Sequence, residues 1–372
     1  MKILILANND VGLYKFRKEL ILELLNPGTI LEERIAEESD LYISLPYGEF
    51  VDELTKMGCK YLETSIERRG MNPFKDLKLL NEYRKMIRQI APVVVLTYTI
   101  KPNIYGGLAC RLLKVPYLVN ITGLGTSIEN QGLLSKIILQ MYKVGIGAAK
   151  TVFFQNASNA KLFKEKRIVR DNVELIPGSG VNLQEHCFEN YPSEKNGIKL
   201  LFIGRIMRDK GISEYLDCAE HYSERKDVSF HIIGGFDENE YADRIEELQG
   251  KDVIRYYGVQ KDVHSFIKEH HAVVLPSYHE GLSNVLLEGA ATGRPIIATD
   301  VPGCRETYDD GITGVGFFAQ SSEALIKAVD KFLNLNSEQR ADMGVKGRRK
   351  IEQTFDKKIV VRSYVKEIDG IK

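Results

Sequence analysis

The chain has 372 residues, of which 44% are hydrophobic and 27% charged, and its 51 basic residues balance 51 acidic residues. This composition is typical of a soluble globular protein and excludes a disordered chain, a fibre and a disulfide scaffold. Because a single core rarely grows to this size, two domains are expected. The five cysteines are scattered, without C-x-x-C or C-x-x-H spacing. They indicate reduced thiols in a cytosolic protein and no structural zinc.

The start of the chain and its hydropathy exclude export and membrane spanning. The first residues, MKILILANN, contain an apolar run of only about five residues, which is too short for a signal peptide. No stretch approaches the roughly 20 apolar residues that a membrane helix needs. We therefore expect a protein that is not exported and does not cross a membrane.

The balanced net charge conceals a difference between the two halves. Residues 1–178 hold 25 Lys+Arg and 19 Asp+Glu, a net charge of +6, whereas residues 179–372 hold 26 and 32, a net charge of −6. A basic first half suggests that this half meets an anionic partner, although a chance drift in surface charge would give the same numbers.

Strands and helices alternate in the first half. The first strand is followed by a loop, NNDVG, and by a helix, LYKFRKELILELL, that ends at Asn26-Pro27-Gly28. Short apolar runs of this kind are typical of buried parallel strands. The predicted strands are 2–7, 40–46, 93–98, 116–122 and 151–155. Their alternation with helical segments predicts an α/β fold with a doubly wound parallel sheet.

The same pattern starts again after a linker. Periodicity fails over 176–197, where Gly, Pro, Asn and Ser accumulate. The second set of predicted strands is 198–204, 228–235, 253–258, 272–277 and 295–300. We therefore predict two Rossmann-like domains, 1–178 and 179–356, that face each other across a ligand-binding cleft. The amphipathic segment 357–368 predicts a last helix, within 357–372, that returns to the first domain.

The segment HEGLSNVLLEGAATGRP, residues 279–295, places two carboxylates eight positions apart. Ser283 is a plausible N-cap for a helix running to about Thr292, and the free N–H groups at the start of such a helix suit a phosphate. Glu280 lies just before this helix, and Glu288 lies inside it on the face of Asn284, where it can accept hydrogen bonds from a ribose diol. A solvent-facing Glu288 with a chance Glu280 is the alternative.

Two cations are predicted to lie near the same loop. Arg205 directly follows the first strand of the second domain, and Lys210 comes five residues later in GRIMRDKG. At the carboxyl end of the sheet these two charges could hold a diphosphate and neutralise it as it leaves. Taken alone, each could also be a solvated loop charge.

Five ordered motifs in the second half resemble the retaining GT-B glycosyltransferases of the E-x7-E family, glycosyltransferase family 4. They are GRIMRDKG, VSFHIIGG, YYGVQKDV, VLPSYHEGLSNVLLEGAATGRPIIATD and GCRETYDDGITG. The resemblance implies that Glu280 contacts the transferred sugar, while Arg205 and Lys210 hold the diphosphate and serve catalysis. It also implies a set of donor-binding residues: Glu288, Gly281, Leu282, Ser283, Asn284, Gly204, Gly12 and Val259. No metal and no cofactor are implied beyond the nucleotide-sugar donor, and no Asp-x-Asp sequence occurs that could bridge a metal.

The first half departs from the family pattern. The loop after its first strand has only Gly12 where paired glycines are common, and residues 1–178 contain no histidine. Thr122 stands where a histidine is expected. If the reaction needs a polar group beside the sugar, the candidates are Lys101, Thr99 and Thr122.

Three segments of the first half resemble bacterial transferases that extend sugars on undecaprenyl diphosphate for capsule, O-antigen and other lipopolysaccharide or N-glycan precursors. They are NPFKDLKLLNEYRKMIRQ, TIKPNIYGGLACRLLKVPY and GLGTSIENQG. The resemblance implies a UDP-activated galactose- or N-acetylhexosamine-type donor. Residues 67–90 also combine a net charge of +4 with apolar residues at helical spacing, namely Phe74, Leu77, Leu80, Tyr83, Ile87 and Ile90. Such a helix could rest on an anionic bilayer, or it could be an ordinary helix with a solvated basic face.

We therefore predict a retaining, metal-independent hexosyltransferase that acts on a lipid-linked glycan at the inner face of the plasma membrane. It would be cytoplasmic and peripheral, with no nucleic-acid partner. A sugar-nucleotide 2-epimerase of the same fold and a non-catalytic scaffold are the alternatives. A dinucleotide-binding oxidoreductase fits poorly, because neither IPGSGVN nor IIGGFDEN completes a G-x-G-x-x-G sequence.

Overall fold

The computed structural model of the chain describes residues 1–33, 38–66, 72–123 and 132–371, without the side chains of residues 133 and 134. These residues form two compact units. Unit 1 comprises Met1–Ser179 and Lys357–Lys372, and unit 2 comprises Gly180–Asp356. The boundary lies one residue after the position that the linker composition favoured.

Unit 1 is built on a parallel sheet. Its strands are β1 (Lys2–Leu6), β2 (Asp40–Leu45), β3 (Lys60–Glu63), β4 (Val94–Tyr98), β5 (Tyr117–Ile121), β6 (Thr151–Phe154) and β7 (Val173–Leu175). They lie in the order β3-β2-β1-β4-β5-β6-β7. The central strands β1, β4 and β5 are almost entirely buried, which explains their continuous apolar sequences.

Helices connect the strands of unit 1. They are α1 (Asp10–Leu25), α2 (Val51–Lys56), α3 (Pro73–Ile90), α4 (Gly107–Leu113, after a π-helical turn at Pro102–Gly106), α5 (Leu133–Ile146) and α6 (Ala157–Glu165). The predicted loop at 8–12 is wrong in extent, because α1 already begins at Asp10. The side chain of Asn9 accepts a hydrogen bond from the Gly12 N–H over 2.6 Å, which caps the helix earlier than the hydrophobic pattern indicated.

Unit 2 repeats this architecture. Its strands are β8 (Ile198–Ile203), β9 (Val228–Ile233), β10 (Ile254–Tyr256), β11 (Ala272–Leu275), β12 (Ile296–Thr299) and β13 (Gly314–Phe317). Its helices are α7 (Ile212–His221), α8 (Ala242–Gly250), α9 (His264–Ile267), α10 (Asn284–Ala291), α11 (Ser322–Leu333) and α12 (Ser337–Thr354). The strand order is β10-β9-β8-β11-β12-β13, and all pairs are parallel.

Each sheet reverses its order at its first strand. In unit 1, β1 pairs with β2 on one side and with β4 on the other, and in unit 2, β8 pairs with β9 and β11. At such a reversal the connections leave on opposite faces of the sheet and open a crevice at the carboxyl ends of the strands. The loops after β8 and β11 are therefore where unit 2 should bind a ligand.

The C-terminal helix α13 (Lys357–Asp369) belongs to unit 1, as the sequence predicted. Its Tyr364 is fully buried and accepts a hydrogen bond from the Asn120 side chain over 2.8 Å. Lys357 forms an ion pair of 2.8 Å with the buried Glu19 of α1. An apolar stripe flanked by these polar contacts fixes α13 on the face of the sheet that also carries α1.

Three strands escaped the sequence-based prediction. β3 and β7 are short and only partly buried, as edge strands commonly are, so they lack a clear apolar pattern. β13 has the sequence GVGF and lies within 305–317, which was interpreted as a glycine-rich turn. Its glycines lie closely against neighbouring groups, since a Cβ on Gly314 would lie 2.4 Å from the Ile296 carbonyl oxygen.

The basic segment 67–90 differs from its predicted form. Residues 67–71 lie outside the described residues, and α3 begins at Pro73 after the N-cap Asn72. The predicted apolar face splits in two. Its C-terminal part is buried in the core of unit 1, through Tyr83, Ile87 and Ile90, whereas Phe74 and Leu77 are 86% and 57% exposed. Among the described residues, no helix combines the length and the apolar character needed to cross a bilayer.

Candidate active site

The loops after β8 and β11 are joined by backbone hydrogen bonds. The Asp209 carbonyl accepts hydrogen bonds from the Tyr278 N–H, over 2.9 Å, and from the Ser277 hydroxyl, over 3.2 Å. Gly211 has φ +71°, and a Cβ there would lie 2.1 Å from the Pro276 carbonyl oxygen. Only glycine permits both this conformation and this approach, which explains the last residue of RDKG.

This contact brings Lys210 onto Glu280. The Lys210 ammonium donates a hydrogen bond to Glu280 Oε1, and the two side chains are 20% and 14% exposed. The sequence placed both residues near one loop, and the structure joins them directly. Because a lysine ammonium has three donors, Lys210 can keep this carboxylate and still donate to an incoming phosphate.

Arg205, at the carboxyl end of β8, is paired with a carboxylate from the neighbouring loop. Its guanidinium forms an ion pair of 2.9 Å with Asp237, beyond the carboxyl end of β9, and its side chain is 58% exposed. The sequence-based hypothesis placed Arg205 near the Glu280 loop and named no partner for it. Backbone pairing brings Asp237 within reach, since the Ile206 N–H donates to the Gly235 carbonyl over 2.8 Å and holds this loop beside the one that follows β9.

The start of α10 has the form that the sequence predicted. Ser283 is its N-cap residue, although its side chain makes no capping hydrogen bond, and its own N–H donates to the Gly303 carbonyl over 2.8 Å. Leu282 and Ser283 are buried, whereas Gly281 and Asn284 are half-buried. The Leu282 side chain belongs to the core, so a ligand could reach this residue only through its backbone.

A second glycine packs against the backbone of the Glu280 loop. Gly303 has φ +87°, and a Cβ there would lie 2.4 Å from the Glu280 carbonyl oxygen. Cys304 is fully buried beside it. Burial, with a further contribution from the nearby Glu280 carboxylate, raises the pKa of the Cys304 thiol well above its usual range. The loop that carries Glu280 is therefore packed against the loop after β8 on one side and against Gly303 on the other.

The other predicted donor-binding residues of unit 2 lie at neighbouring strand ends. Glu288 is half-buried, one helical turn after Asn284 in α10. Gly204 directly follows β8, and its N–H donates to the Ile233 carbonyl over 3.0 Å. Val259, after β10, is 75% exposed. Gly204 and Val259 thus follow strands of the unit 2 sheet, and Glu288 lies in the helix that follows β11.

The unit 1 candidates follow adjacent strands. Gly12 lies in the first turn of α1, after β1, and the exposed Thr122 directly follows β5. Thr99, after β4, has φ +72°, a strained conformation for a β-branched residue, and its hydroxyl donates to the Tyr98 carbonyl. Lys101 is held in a buried ion pair of 2.8 Å with Asp76 of α3, and this pairing neutralises its charge.

Several residues near the site were missed in the sequence. Asp237 pairs with Arg205, and Asp209 lies 3.5 Å from the Nε2 of His279, the residue before Glu280. Tyr278 donates a 2.6 Å hydrogen bond to Glu214 of α7, and burial together with this bond raises the pKa of the Tyr278 hydroxyl. Asp209 belongs to the motif RDKG, and Tyr278 and His279 belong to YHEG. These motifs lie 70 residues apart, and no spacing rule predicts which of their side chains come into contact.

Two tandem Rossmann-like units, with charged loops at the reversal of the second sheet, define the GT-B class of transferase fold. Family models match both halves of the chain. Residues 36–156 match "Glycosyl transferase 4-like" and residues 184–350 match "Glycosyl transferases group 1". The chain belongs to this group of glycosyltransferases, and it is a GT-B enzyme that transfers sugars.

Its relatives include characterised bacterial transferases. Over its whole length the chain is 24% identical to N,N'-diacetylbacillosaminyl-diphospho-undecaprenol alpha-1,3-N-acetylgalactosaminyltransferase of Campylobacter jejuni, covering 99% of that protein. It is 23% identical to UDP-Gal:alpha-D-GlcNAc-diphosphoundecaprenol alpha-1,3-galactosyltransferase of Escherichia coli, with 84% of each chain covered. The capsular polysaccharide glycosyltransferase CapM of Staphylococcus aureus is 24% identical over 82% of this chain and 85% of its own.

Solved structures share the fold. The crystal structure of Anabaena HepE in complex with UDP-glucose superposes with a TM-score of 0.79 at 15% identity, covering 100% of this chain and 99% of that one. A glycosyltransferase from Rickettsia africae gives a TM-score of 0.76 at 20% identity, covering 100% and 98%. These likenesses establish the GT-B fold.

Proposed function

We propose that this glycosyltransferase moves a galactose- or N-acetylgalactosamine-type sugar from a UDP-sugar to a glycan carried on undecaprenyl diphosphate. The observation that carries the proposal is the contact between Lys210 and Glu280 at the reversal of the unit 2 sheet. It places a cation for a phosphate and a carboxylate for a sugar hydroxyl within one hydrogen bond of each other. The names of the Campylobacter and Escherichia relatives support the choice of sugar and carrier.

The donor would lie along the start of α10. The N–H groups of Leu282 and Asn284 and the positive end of the helix favour the diphosphate, and Lys210 adds a full charge beside them. Glu288, one turn into the helix, would accept hydrogen bonds from the ribose. Arg205 would reach the diphosphate by exchanging its exposed contact with Asp237 for a phosphate, with which a guanidinium can form two parallel hydrogen bonds.

We further propose that the transfer retains the anomeric configuration and needs no metal ion. In a UDP-hexose such as UDP-galactose the anomeric bond is α, and an α product keeps that configuration, as the names of both relatives imply for their products. The leaving UDP carries negative charge, which Lys210 and Arg205 would stabilise in the place of a divalent cation. Glu280 would orient the sugar through its hydroxyls. These contacts, which lie away from the bond that breaks, would hold the donor in the orientation needed for attack by the acceptor.

The acceptor would be presented by unit 1 at a membrane surface. The exposed Phe74 and Leu77 lie among the cations Lys75, Lys78 and Lys85 of α3, a combination that can insert two side chains and attract anionic headgroups. We propose that this end of α3 binds the inner leaflet, which makes the enzyme peripheral and cytoplasmic. The candidates Thr99, Lys101 and Thr122 would line the acceptor side of the reaction.

Thermal unfolding with UDP, GDP, ADP, CMP and NAD, each at millimolar concentration, tests the donor assignment. A ligand at 100 times its Kd stabilises the fold by about 2.7 kcal/mol, which is readily detected as a rise in Tm. We expect a rise with UDP that is lost in Glu288→Ala. A rise with GDP alone would replace the UDP donor by a GDP-sugar, and a Tm unchanged by every nucleotide would favour the non-catalytic scaffold. The 2-epimerase alternative gains no support from the relatives named above, which are transferases.

A further inference from the structure

A cluster of metal-ligating side chains lies in unit 2, at the opposite end of α10 from Ser283. Cys187, Glu189 and His264 each direct one donor atom toward a common point. The distances are 3.6 Å from Cys187 Sγ to His264 Nε2, 3.7 Å from Cys187 Sγ to Glu189 Oε1, and 3.5 Å from His264 Nε2 to Glu189 Oε1.

These distances match tetrahedral coordination. Zinc bonds of about 2.3 Å to sulfur and about 2.0–2.2 Å to nitrogen and oxygen place neighbouring ligands about 3.4–3.7 Å apart at the tetrahedral angle. The separation between His264 and Glu189 is too long for a normal N–H···O hydrogen bond, which spans about 2.7–3.2 Å. The two contacts of Cys187 Sγ lie within the range of weak thiol hydrogen bonds, and all three separations also fit ligands around a shared cation.

The tautomer of His264 suits this role. The Thr292 hydroxyl donates its proton to the Glu288 carbonyl over 2.9 Å, so at its 3.2 Å contact with His264 Nδ1 it must accept. His264 therefore carries its proton on Nδ1, and its Nε2 lone pair faces Cys187 and Glu189. A hydrogen bond to the distal ring nitrogen is the usual way in which proteins orient a histidine ligand. The ring is also packed edge-to-face on His186.

The backbone of the other two ligands is fixed. The Glu189 N–H donates to the Thr292 carbonyl over 3.1 Å, and the fully buried Arg294 donates to the Glu189 carbonyl over 3.0 Å. Phe188, between the ligands, packs against Gly293, where a Cβ would lie 2.6 Å from its ring. These contacts fix the backbone at Glu189 and the ring of Phe188, the residue that follows Cys187.

Charge favours a divalent ion at this point. With a metal bound, Cys187 as a thiolate and the Glu189 carboxylate would together supply two negative charges beside the neutral imidazole, so a divalent cation would be balanced. The site lies at the C-terminal end of α10, where the helix dipole favours positive charge. Thiolate and imidazole ligands are those that zinc prefers, and Mg²⁺ and Ca²⁺ prefer oxygen ligands.

We propose that Cys187, Glu189 and His264 bind one Zn²⁺ ion, with water in the fourth position, and that the ion fastens the linker segment to the start of α9. Binding releases the Cys187 thiol proton to solvent and forms the Zn–S, Zn–N and Zn–O bonds, with no change of oxidation state. No zinc-binding spacing occurs in the sequence, since Cys187 and Glu189 are two residues apart and His264, 75 residues after Glu189, is brought to them only by the fold. The site is separate from the proposed donor site.

Co²⁺ and Zn²⁺ titrations of the full-length chain, stripped of metal and kept reduced with a phosphine, test this proposal. Co²⁺ bound through Cys187 gives a thiolate-to-cobalt charge-transfer absorption, which Zn²⁺ displaces. We expect one ion per chain, the absorption lost in Cys187→Ser, and Zn²⁺ affinity at least 10-fold lower in Cys187→Ser and in His264→Gln. His221→Gln, which changes an exposed histidine on α7, is the matched control.

The proposal would be overturned by wild-type protein that binds Co²⁺ without the thiolate absorption. Equal Zn²⁺ affinities in wild type, Cys187→Ser and His264→Gln would overturn it as well. Far-UV circular dichroism of the variants without metal shows whether each one is folded. Because metal binding is read directly, the result does not depend on the donor or on transfer activity.

Discussion

Lys210 and Glu280, 70 residues apart in sequence, form a direct ion pair between the loops that follow β8 and β11. Both side chains are largely buried, so removing one partner leaves the other charge without its counterion. The pair lies where the strand order of unit 2 reverses, and it is the centre of the proposed donor site.

The Glu280 carboxylate is expected to act on transfer rather than on nucleotide binding. Glu280→Gln keeps the size of the side chain and removes its charge, so we expect kcat to fall by about 100-fold or more. The Kd for UDP should change by less than about threefold, since UDP lacks the sugar that Glu280 would contact. Single-turnover transfer and UDP calorimetry measure the two quantities.

Lys210→Ala gives the complementary pattern. Loss of the Lys210 ammonium should both weaken UDP binding and lower kcat. The same ammonium would hold the diphosphate before and after the bond between sugar and UDP breaks. A Lys210→Ala enzyme with wild-type UDP affinity would remove Lys210 from the donor site.

Glu288 is expected to hold the donor through its ribose. Charge-assisted hydrogen bonds contribute about 1.5–3 kcal/mol, so Glu288→Ala should raise the Kd for UDP about 10- to 100-fold. Glu246→Gln, which removes an exposed carboxylate on α8, is the control and should bind UDP as wild type does. Equal UDP affinity in Glu288→Ala and in wild type would show that the carboxylate of α10 does not contact the nucleotide.

The exposed start of α3 is expected to bind anionic membranes. Phe74→Ser with Leu77→Ser should lower the fraction of protein that sediments with phosphatidylglycerol vesicles, and Lys75→Gln with Lys78→Gln should lower it further, by about 1 kcal/mol per cation. Phe318→Ser removes a similarly exposed aromatic side chain from unit 2, where Phe318 is 79% exposed, and should have no effect. Sedimentation that is unchanged in all these variants would rule out α3 as the membrane contact.

Three buried histidines should make unit 2 sensitive to acid. Burial lowers the pKa of His231 from 6.5 to about 3, and that of His270 and His271 to about 4. Between these values and pH 6.5 the unfolded chain binds protons that the folded chain does not, so the free energy of unfolding falls as the pH falls. Each histidine contributes up to about 1.4 kcal/mol per pH unit in this window.

Urea unfolding at pH 7.5, 6 and 5 measures this dependence. His270→Gln should unfold with a shallower dependence on pH, and His221→Gln, on the exposed surface, should keep the wild-type dependence. A urea midpoint that is constant from pH 7.5 to pH 5 would contradict burial of neutral imidazoles in unit 2.

The sequence predicted the parts of the molecule that short-range patterns determine. Continuous apolar runs located the central strands, and the N-cap position of Ser283 was predicted correctly. Apolar runs did not reveal the strands that are only partly buried, β3 and β7. They also did not reveal β13, in which glycines replace some of the apolar residues.

Side-chain pairing across the fold was harder to predict. The neighbourhood of Lys210 and Glu280 followed from strand topology, because parallel strands present their carboxyl ends at one edge. The partners of Arg205 and Lys101 did not follow, since Asp237 and Asp76 reach them through loop geometry and helix placement that no spacing rule encodes.

The most direct test of the account is transfer itself. Purified protein is incubated with radiolabelled UDP-galactose or UDP-N-acetylgalactosamine and a polyprenyl diphosphate that carries one N-acetylhexosamine, and the organic phase is counted. We expect label in the lipid with an α linkage, at a rate that Mg²⁺ and Mn²⁺ do not raise and that falls about 100-fold or more in Glu280→Gln. Consumption of the UDP-sugar to an epimer with no labelled lipid, or a β-linked product, would contradict it.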